Sequence, residues 1–240
     1  MKLAIGNEKG GFGSSTLAVN VAAAFAAAGN TVQLIDTDRN SRSTSTWRAR
    51  RRALALQPSP SVLTAPGNTK AALDDSAHHD VRIVDTWRYH EDIEGLAGCV
   101  DFWIAPTMVS RVDLDATLRT FELLRDRLGT HASNRIRFGA LLTQTPTASG
   151  SREEGDARAY LTRRAPEMQV FRQALRSRVA WKETGVGRAV FELEHPGDGR
   201  ALAEFTSFLA ELATKLSGHE VTWPATGGFL VPRPASSNTT

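Results

Sequence analysis

The chain has 240 residues, of which 41% are hydrophobic and 23% are charged, and its formal net charge is +3 at pH 7. These values are ordinary for a soluble globular protein, and the length allows one large domain with a sizeable core. No run approaches about 18 consecutive apolar residues, so no membrane span is expected, and the single cysteine, Cys99, excludes an internal disulfide and fits a reducing cytoplasm.

The predicted secondary structure alternates between apolar runs and helical stretches, which indicates βαβ units. The predicted strands are residues 2–7, 31–36, 61–64, 81–85, 101–105, 136–143 and a short one at 168–171. The predicted helices are residues 14–28, 42–56, 91–98, 112–128, 152–164, 173–183 and 198–217. We therefore predict an α/β fold in a single domain, with a mainly parallel twisted sheet and helices on both faces.

The end of the chain differs in composition from the rest. We predict a domain over residues 1–217 and a mostly disordered tail over residues 218–240, which are rich in Pro, Gly, Ser and Thr. Three apolar residues of the tail, Trp223, Phe229 and Leu230, could dock on the domain or on a neighbouring subunit. At the other end the chain starts on a predicted strand, so no secretory signal is expected.

The most informative segment lies between the first predicted strand and the first predicted helix. Its sequence, NEKGGFGSST over residues 7–16, is rich in glycine. Such a loop can aim several backbone N–H groups at one anion, because glycines carry no Cβ, and the following helix adds its positive dipole end. The segment therefore predicts a phosphate-binding loop; the alternative is a tight strand-to-helix connection without a ligand.

This loop departs from the general P-loop pattern, because Glu8 replaces the first glycine and Ser14 replaces the lysine. The run KGGFG resembles instead the deviant Walker A loop of the ParA/MinD ATPases, where a lysine precedes the Gly-Gly pair as Lys9 does here. The resemblance covers about residues 1–217 and is closest to small plasmid-type ParA proteins. It implies a P-loop NTPase-like fold and a catalytic Lys9 that reaches the partner's phosphates across a nucleotide-sandwich dimer.

Two further strand ends fit the same family. The segment VQLIDTD resembles switch I, where Asp38 would position the attacking water near the metal, and VRIVDT resembles the Walker B strand, where Asp85 would bind Mg²⁺ through water. Ser15 matches the family's hydroxyl ligand of Mg²⁺, so the metal-site residues that the resemblance implies are Ser15, Asp38 and Asp85. Without the resemblance, Asp36 and Asp38 could be a helix N-cap and a solvated turn, and Asp85 an ordinary strand-end residue.

The resemblance also assigns the nucleotide contacts, with ATP or ADP and Mg²⁺ as expected cofactors. Loop amides would hold the β-phosphate, Thr16 could bond the α-phosphate, and residues at the end of a late strand would lie near the base. The expected nucleotide-binding residues are Lys9, Gly10, Gly11, Phe12, Gly13, Ser14, Ser15, Thr16, Thr143, Gln144 and Thr145.

Ser14 is the departure with the largest chemical consequence, because a hydroxyl cannot replace an ammonium group that contacts the β- and γ-phosphates. Losing one such contact would cost about 2–4 kcal/mol, which is roughly two to three orders of magnitude in rate. Nucleotide binding would survive through the backbone amides and Mg²⁺. Three explanations stay open: an engineered substitution, a natural degenerate ATPase, or another cation, such as Arg39 or Lys9, in the same role.

Arginine far outnumbers lysine, and the basic residues form two clusters. The sequence RARRR over residues 48–52 is typical of a solvated helix face. The second cluster falls where the resemblance implies nonspecific DNA contacts, since basic patches bind phosphate backbones without reading sequence. The expected DNA-binding residues are Arg163, Arg164, Arg172, Arg176, Arg178 and Lys182.

The resemblance as a whole implies a partition or positioning ATPase. ATP would drive a homodimer that binds DNA nonspecifically, and a ParB-like or other adaptor protein would stimulate hydrolysis. A plasmid, chromosome region or protein complex would thereby be distributed in the cytoplasm, on the nucleoid and not on a membrane. The alternative is an impaired pseudo-ATPase that acts as a scaffold. A biosynthetic or reductase relative is disfavoured, because Cys99 has no second cysteine with which to hold an iron–sulfur cluster.

Overall fold

A computed structural model describes residues 1–38, 43–65, 67, 69–74, 78–86, 95–132, 137–147, 152–193, 199–218 and 223. The strands are β1 (Lys2–Ile5), β2 (Val32–Asp36), β3 (Ser61–Thr64), β4 (Val81–Asp85), β5 (Phe102–Thr107), β6 (Arg137–Thr145), β7 (Gln169–Val170) and β8 (Leu175–Arg176). The α-helices are α1 (Ser14–Ala27), α2 (Ser43–Ala53), α3 (Thr69–Asp74), α4 (Arg111–Ala132), α5 (Arg152–Arg164), α6 (Val179–Glu183) and α7 (Gly199–Ser217). Two 3₁₀ helices, Thr184–Val186 and Val190–Glu192, lie between α6 and α7.

These strands form one parallel sheet in the order β3-β2-β4-β1-β5-β6-β7, and β8 also pairs with β6. Parallel strands have their carboxyl ends along one edge, which is where ligands bind in such sheets. Because β2, β4 and β1 are neighbours, the segments that follow them meet at this edge. The register places Asp85 beside both Asp36 and Ile5.

Helices cover both faces of the sheet, as predicted, and each face has its own apolar core. On one face Phe25 of α1 and Phe205 of α7 pack over β1 and its neighbours. On the other face Trp103 of β5 packs with Leu118 of α4 and Leu161 of α5. Burial on both faces explains why the central strands are almost continuously apolar in sequence. The predicted α/β fold is confirmed.

One predicted helix, residues 173–183, is wrong in its first half. Leu175 and Arg176 form β8, and the helix begins only at Val179. The extended backbone is stabilised by partners far away in sequence: the Ser177 N–H donates to the Thr145 carbonyl at 2.9 Å, and the Arg176 N–H donates to the Glu204 carboxylate at 3.1 Å. Helix α3 was not predicted, and part of the predicted helix 91–98 lies outside the described residues.

The tail is described at Gly218 and Trp223. The Trp223 ring is buried and meets Phe25 of α1 edge to face, with ring centroids 5.4 Å apart. This contact confirms that Trp223 docks on the domain. The predicted disorder of the rest of the tail concerns residues outside those described and stays a prediction. Across the described ranges, none of the helices has the length and apolarity needed to cross a membrane.

Candidate functional site

The loop between β1 and α1 has a backbone that requires glycine at two positions. Gly11 has φ +94° and Gly13 has φ +82°, in the left-handed region that residues with a Cβ rarely adopt. A Cβ placed on Gly11 would have no heavy atom within 4 Å, so the loop is open on that side. Gly13 also caps α1, and no side chain satisfies the first N–H groups of that helix. These amides are therefore free to bind an anion.

Side chains from the end of β6 hold the loop in place. The Thr143 hydroxyl donates to the carbonyl of Phe12 at 2.9 Å, and the Gln144 amide donates to the carbonyl of Gly11 at 2.7 Å. Phe12 is itself buried, which anchors the middle of the loop in the core. Thr143 and Gln144 thus contact the backbone of the loop, and their expected position near a nucleotide base stays a prediction.

A cavity of about 290 Å³ lies beside this loop. It is lined by Phe12, Gly13, Thr16, Leu17, Thr143, Gln144, Leu175, Arg176, Ser177, Arg178, Trp181, Lys182 and Gly185. Its apolar and aromatic walls are typical of a site for a flat organic ring. Thr145 is not among the lining residues; its buried hydroxyl donates to Glu154 at 3.0 Å.

The carboxylate of Asp85 lies directly behind the loop. It accepts a hydrogen bond from the Ser15 side chain, and its Oδ2 atom is buried without a hydrogen-bond partner. Burial, together with the charges of Asp36 and Asp38, raises the pKa of Asp85 to about 8, although the Ser15 hydrogen bond acts in the opposite direction. A buried carboxylate oxygen without a donor is the kind of group that a divalent cation satisfies.

The two aspartates after β2 have different surroundings. Asp36 is fully buried and accepts hydrogen bonds from the Asp38 N–H at 3.1 Å and from the Ser45 N–H and hydroxyl at 3.2 and 3.0 Å. It therefore ties the start of α2 to the sheet. Asp38 is also buried, and its charge acts on Asp85. The described residues contain no group of three or more His, Cys, Asp or Glu arranged to hold a metal by themselves.

Lys9 is paired within its own chain. Its ammonium group forms an ion pair with Asp113 of α4, which also accepts a hydrogen bond from the Ser110 hydroxyl at 2.6 Å. Burial opposes ionisation of Asp113, yet the hydrogen bonds from Lys9 and Ser110 hold its pKa below the usual range. The Lys9 side chain remains 46% exposed, so this pairing leaves it at the surface of the loop.

A second cavity, of about 320 Å³, lies between α1 and α2 and was not predicted. It is lined by Ser15, Thr16, Val19, Ser43, Thr46, Trp47, Arg50, Thr184 and Gly185. The α2 residues among them have the spacing i, i+3, i+4, i+7, which identifies one face of a helix. That pattern was readable in the sequence, but only the fold shows that this face of α2 lies opposite Ser15 and Thr16, at the end of the glycine loop.

The six expected DNA-binding residues separate into two groups. Arg163, Arg164, Arg172 and Lys182 are exposed. Arg176 and Arg178 are only 11% and 7% exposed and pair with Glu204 at 2.9 and 2.6 Å. Arg176 also pairs with Glu154 at 3.3 Å. Their guanidinium groups are therefore paired within the protein, which disfavours DNA contact by these two residues; that contact stays a prediction.

The cluster at residues 48–52 also contains a buried arginine. Arg51 is fully buried and makes two contacts with Glu192, at 2.6 and 2.7 Å, and it donates to the Pro58 carbonyl at 2.7 Å. The predicted solvated helix face is therefore wrong for Arg51, although Arg50 and Arg52 are exposed. Trp47, one turn earlier, is buried and donates to the Arg188 carbonyl at 3.1 Å.

Comparison with known proteins adds two findings. Residues 1–107 match a family model described as ATPase MipZ. The predicted resemblance to the ParA/MinD-type ATPases is confirmed. A comparison with curated protein sequences finds no match.

Solved structures of the same fold include three with a bound nucleotide. The chain resembles a Cyanothece McdA(D38A)–ATP complex (TM-score 0.66, 17% identity, 91% of this chain and 96% of that one). It resembles the Pyrococcus horikoshii septum site-determining protein MinD with Mg-ADP (TM-score 0.63, 16% identity, 90% of this chain and 97% of that one). It also resembles a putative Borrelia burgdorferi plasmid partition protein bound to AMPPNP (TM-score 0.58, 16% identity, 88% of this chain and 98% of that one). At these identities the likeness establishes the fold.

Proposed function

We propose that this chain binds ATP with Mg²⁺ at the loop over residues 7–16 and hydrolyses it as a partition or positioning ATPase. The observation that carries the proposal is the buried Asp85 oxygen without a donor, next to Ser15 and beneath the glycine loop. A phosphate loop alone would explain the glycines, but it would not explain a carboxylate buried at the same point. The nucleotides bound to the three similar structures support this choice of ligand.

The proposed chemistry requires mainly positioning and charge compensation. Loop amides from Gly10 to Ser15 hold the phosphates, while Ser15 and Asp85 hold Mg²⁺, which neutralises phosphate charge when bound. Asp38 orients the attacking water. The cavity beside Phe12 receives the base, since Gln144 and Trp181 form part of its wall.

The finer steps follow the family resemblance. ATP brings two copies together, Lys9 then leaves Asp113 to reach the partner's phosphates, and the dimer binds DNA through Arg163, Arg164, Arg172 and Lys182. A ParB-like or other adaptor protein stimulates hydrolysis and releases the dimer, so that a cargo is distributed on the nucleoid. These steps are supported by the exposed position of the four basic residues and by the surface position of Lys9.

Ser14 supports a second candidate function, an impaired pseudo-ATPase that keeps nucleotide as a structural ligand. The glycine loop, Ser15 and Asp85 are all in place for binding, whereas the P-loop lysine is missing. Binding and turnover therefore have to be measured separately. The Ser14→Lys variant should raise turnover by roughly two orders of magnitude if only this contact limits the rate.

Binding of labelled ATP to the purified full chain tests the proposal. We expect saturable binding that requires Mg²⁺, and Asp85→Asn should remove the Mg²⁺ dependence while the circular dichroism spectrum is unchanged. Asp74→Asn, at an exposed carboxylate on α3, is the matched control. Absence of binding at millimolar ATP in the wild type would contradict the proposal.

Mass and turnover measurements separate the two candidates. For the active ATPase, ATP and Mg²⁺ should raise the mass in light scattering toward that of a dimer, and Lys9→Ala should prevent this. For the pseudo-ATPase, ATP binds but no phosphate is released, even with DNA present. Salt-sensitive binding to unrelated duplexes tests the DNA step independently.

A further inference from the structure

We propose that Arg50 supplies the phosphate chain with the positive charge that Ser14 cannot. The inference rests on the proposed nucleotide site and identifies one more residue within it. It answers the question that Ser14 raises, since a loop that carries a hydroxyl at the lysine position needs a cation from elsewhere. The fold brings such a cation from α2, a helix that is separate from the loop in sequence.

The position of Arg50 follows from the cavity between α1 and α2. Arg50 lines it together with Ser15 and Thr16, the residues proposed to hold Mg²⁺ and the α-phosphate. Three other α2 residues, Ser43, Thr46 and Trp47, also line the cavity, so Arg50 lies on the face of α2 that is directed at the start of α1. The cavity is therefore continuous with the proposed phosphate site at Ser15 and Thr16.

The charge of Arg50 is also available, unlike that of neighbouring cations. Its guanidinium donates to the Gly185 carbonyl at 2.6 Å, and a carbonyl does not neutralise it. By contrast, Lys9 is paired with Asp113, and Arg178 with Glu204. Lys182 lines the other cavity, whose walls are largely apolar and suit a base better than phosphates.

The helix that carries Arg50 is held firmly, which favours a defined position. The next residue, Arg51, is buried in its pair with Glu192, and the Trp47 ring nitrogen is bonded to the Arg188 carbonyl. An arginine on a fixed helix can bind phosphate oxygens through two parallel N–H groups of its planar guanidinium, whereas a lysine offers a point charge on a flexible stem. Arg50 would exchange its carbonyl partner for phosphate when nucleotide binds.

Equilibrium binding of labelled ATP, ADP and AMP to variants of the full chain tests this inference. Arg50→Gln should weaken ATP binding about 10- to 100-fold, as expected for loss of a charge-assisted hydrogen bond, and should change AMP binding less. The matched control is Arg52→Gln, because Arg52 is also an exposed arginine of α2. This variant should bind ATP as tightly as the wild type does. Arg50→Lys keeps the charge and should restore part of the affinity.

A second variant pair tests whether Arg50 and position 14 serve the same role. Ser14→Lys should strengthen ATP binding more in the Arg50→Gln background than in the wild type, since each cation makes the other less necessary. Wild-type affinity in Arg50→Gln would overturn the inference and leave the proposed function standing. Loss of affinity in Lys182→Gln alone would assign the role to Lys182 instead. Failure of the wild type to bind ATP would overturn both.

Discussion

The two arginine-rich segments, residues 48–52 and 172–182, look alike in sequence and are used in the same way by the fold. In each segment some arginines form ion pairs within the protein. Arg51 pairs with Glu192, and Arg176 and Arg178 both pair with Glu204. Each also leaves basic residues at the surface, Arg52 in the first and Lys182 in the second. A run of arginines therefore does not by itself identify a binding surface.

The two buried pairs differ in what they connect. Arg51 joins α2 to the segment with the 3₁₀ helices, which lines both cavities through Gly185. Arg176 and Arg178 join β8 and the start of α6 to α7. Arg51 is the most buried of the three arginines, since it has no exposed side-chain surface, whereas Arg176 and Arg178 are 11% and 7% exposed. We therefore expect Arg51 to be the most costly of the three to replace, because its removal leaves a void and takes the donor from two carbonyl groups as well as from Glu192.

The largest effect is expected from Arg51→Ala. The change leaves Glu192 without its partner and opens a cavity between α2 and the 3₁₀ segment, so the free energy of unfolding should fall by about 3–5 kcal/mol. Urea denaturation followed by circular dichroism measures it. Arg52→Ala, on the exposed side of the same helix, should change stability by less than about 0.5 kcal/mol. Equal effects of the two changes would contradict the burial of Arg51.

A smaller loss is expected from Glu204→Gln. The variant leaves Arg176 and Arg178 with weaker acceptors, and the free energy of unfolding should fall by about 1–3 kcal/mol. Denaturant unfolding is again the measurement, with Glu153→Gln, at an exposed carboxylate of α5, as control. If Glu204→Gln is neutral, the two arginines are solvated and are again candidates for DNA contact.

The exposed arginines should affect DNA binding without affecting stability. In the double variant Arg163→Ala, Arg164→Ala, the slope of log affinity against log salt should fall by about 2, since each phosphate contact contributes about 1. Fluorescence anisotropy with unrelated duplexes measures this slope. Arg176→Ala should lower stability and leave the slope unchanged. A lower slope in Arg176→Ala, with an unchanged slope in the double variant, would instead indicate that DNA binds at β8.

The smallest effect concerns pH. Burial by itself raises the pKa of Glu204, but hydrogen bonds from Arg178 and Arg176 hold it below the usual value of a glutamate, 4.5. Its contribution is therefore present above pH 4.5 and is lost as the pH falls through the lower pKa of the folded state. The stability difference between wild type and Glu204→Gln should be constant near neutral pH and shrink in that acidic range. A difference that grows on acidification would mean that the pKa is raised.

The sequence by itself determined the parallel sheet, the glycine loop and the position of every strand except β8. These features are local: apolar runs specify buried strands, and left-handed turns such as those at Gly11 and Gly13 need glycine. The family resemblance, and not a local pattern, predicted a Mg²⁺ site at Ser15, Asp38 and Asp85, and that site stays a prediction.

Only the tertiary structure decided the roles of the charges. Arg51 and Glu192 are 141 positions apart, and no local pattern connects them. Likewise, no local pattern in the sequence predicts the ion pair of Lys9 with Asp113, the strand formed by Leu175 and Arg176, or the position of Arg50 near Ser15. An ion pair depends on distance and on the exclusion of water, and both are fixed only when separate elements pack together.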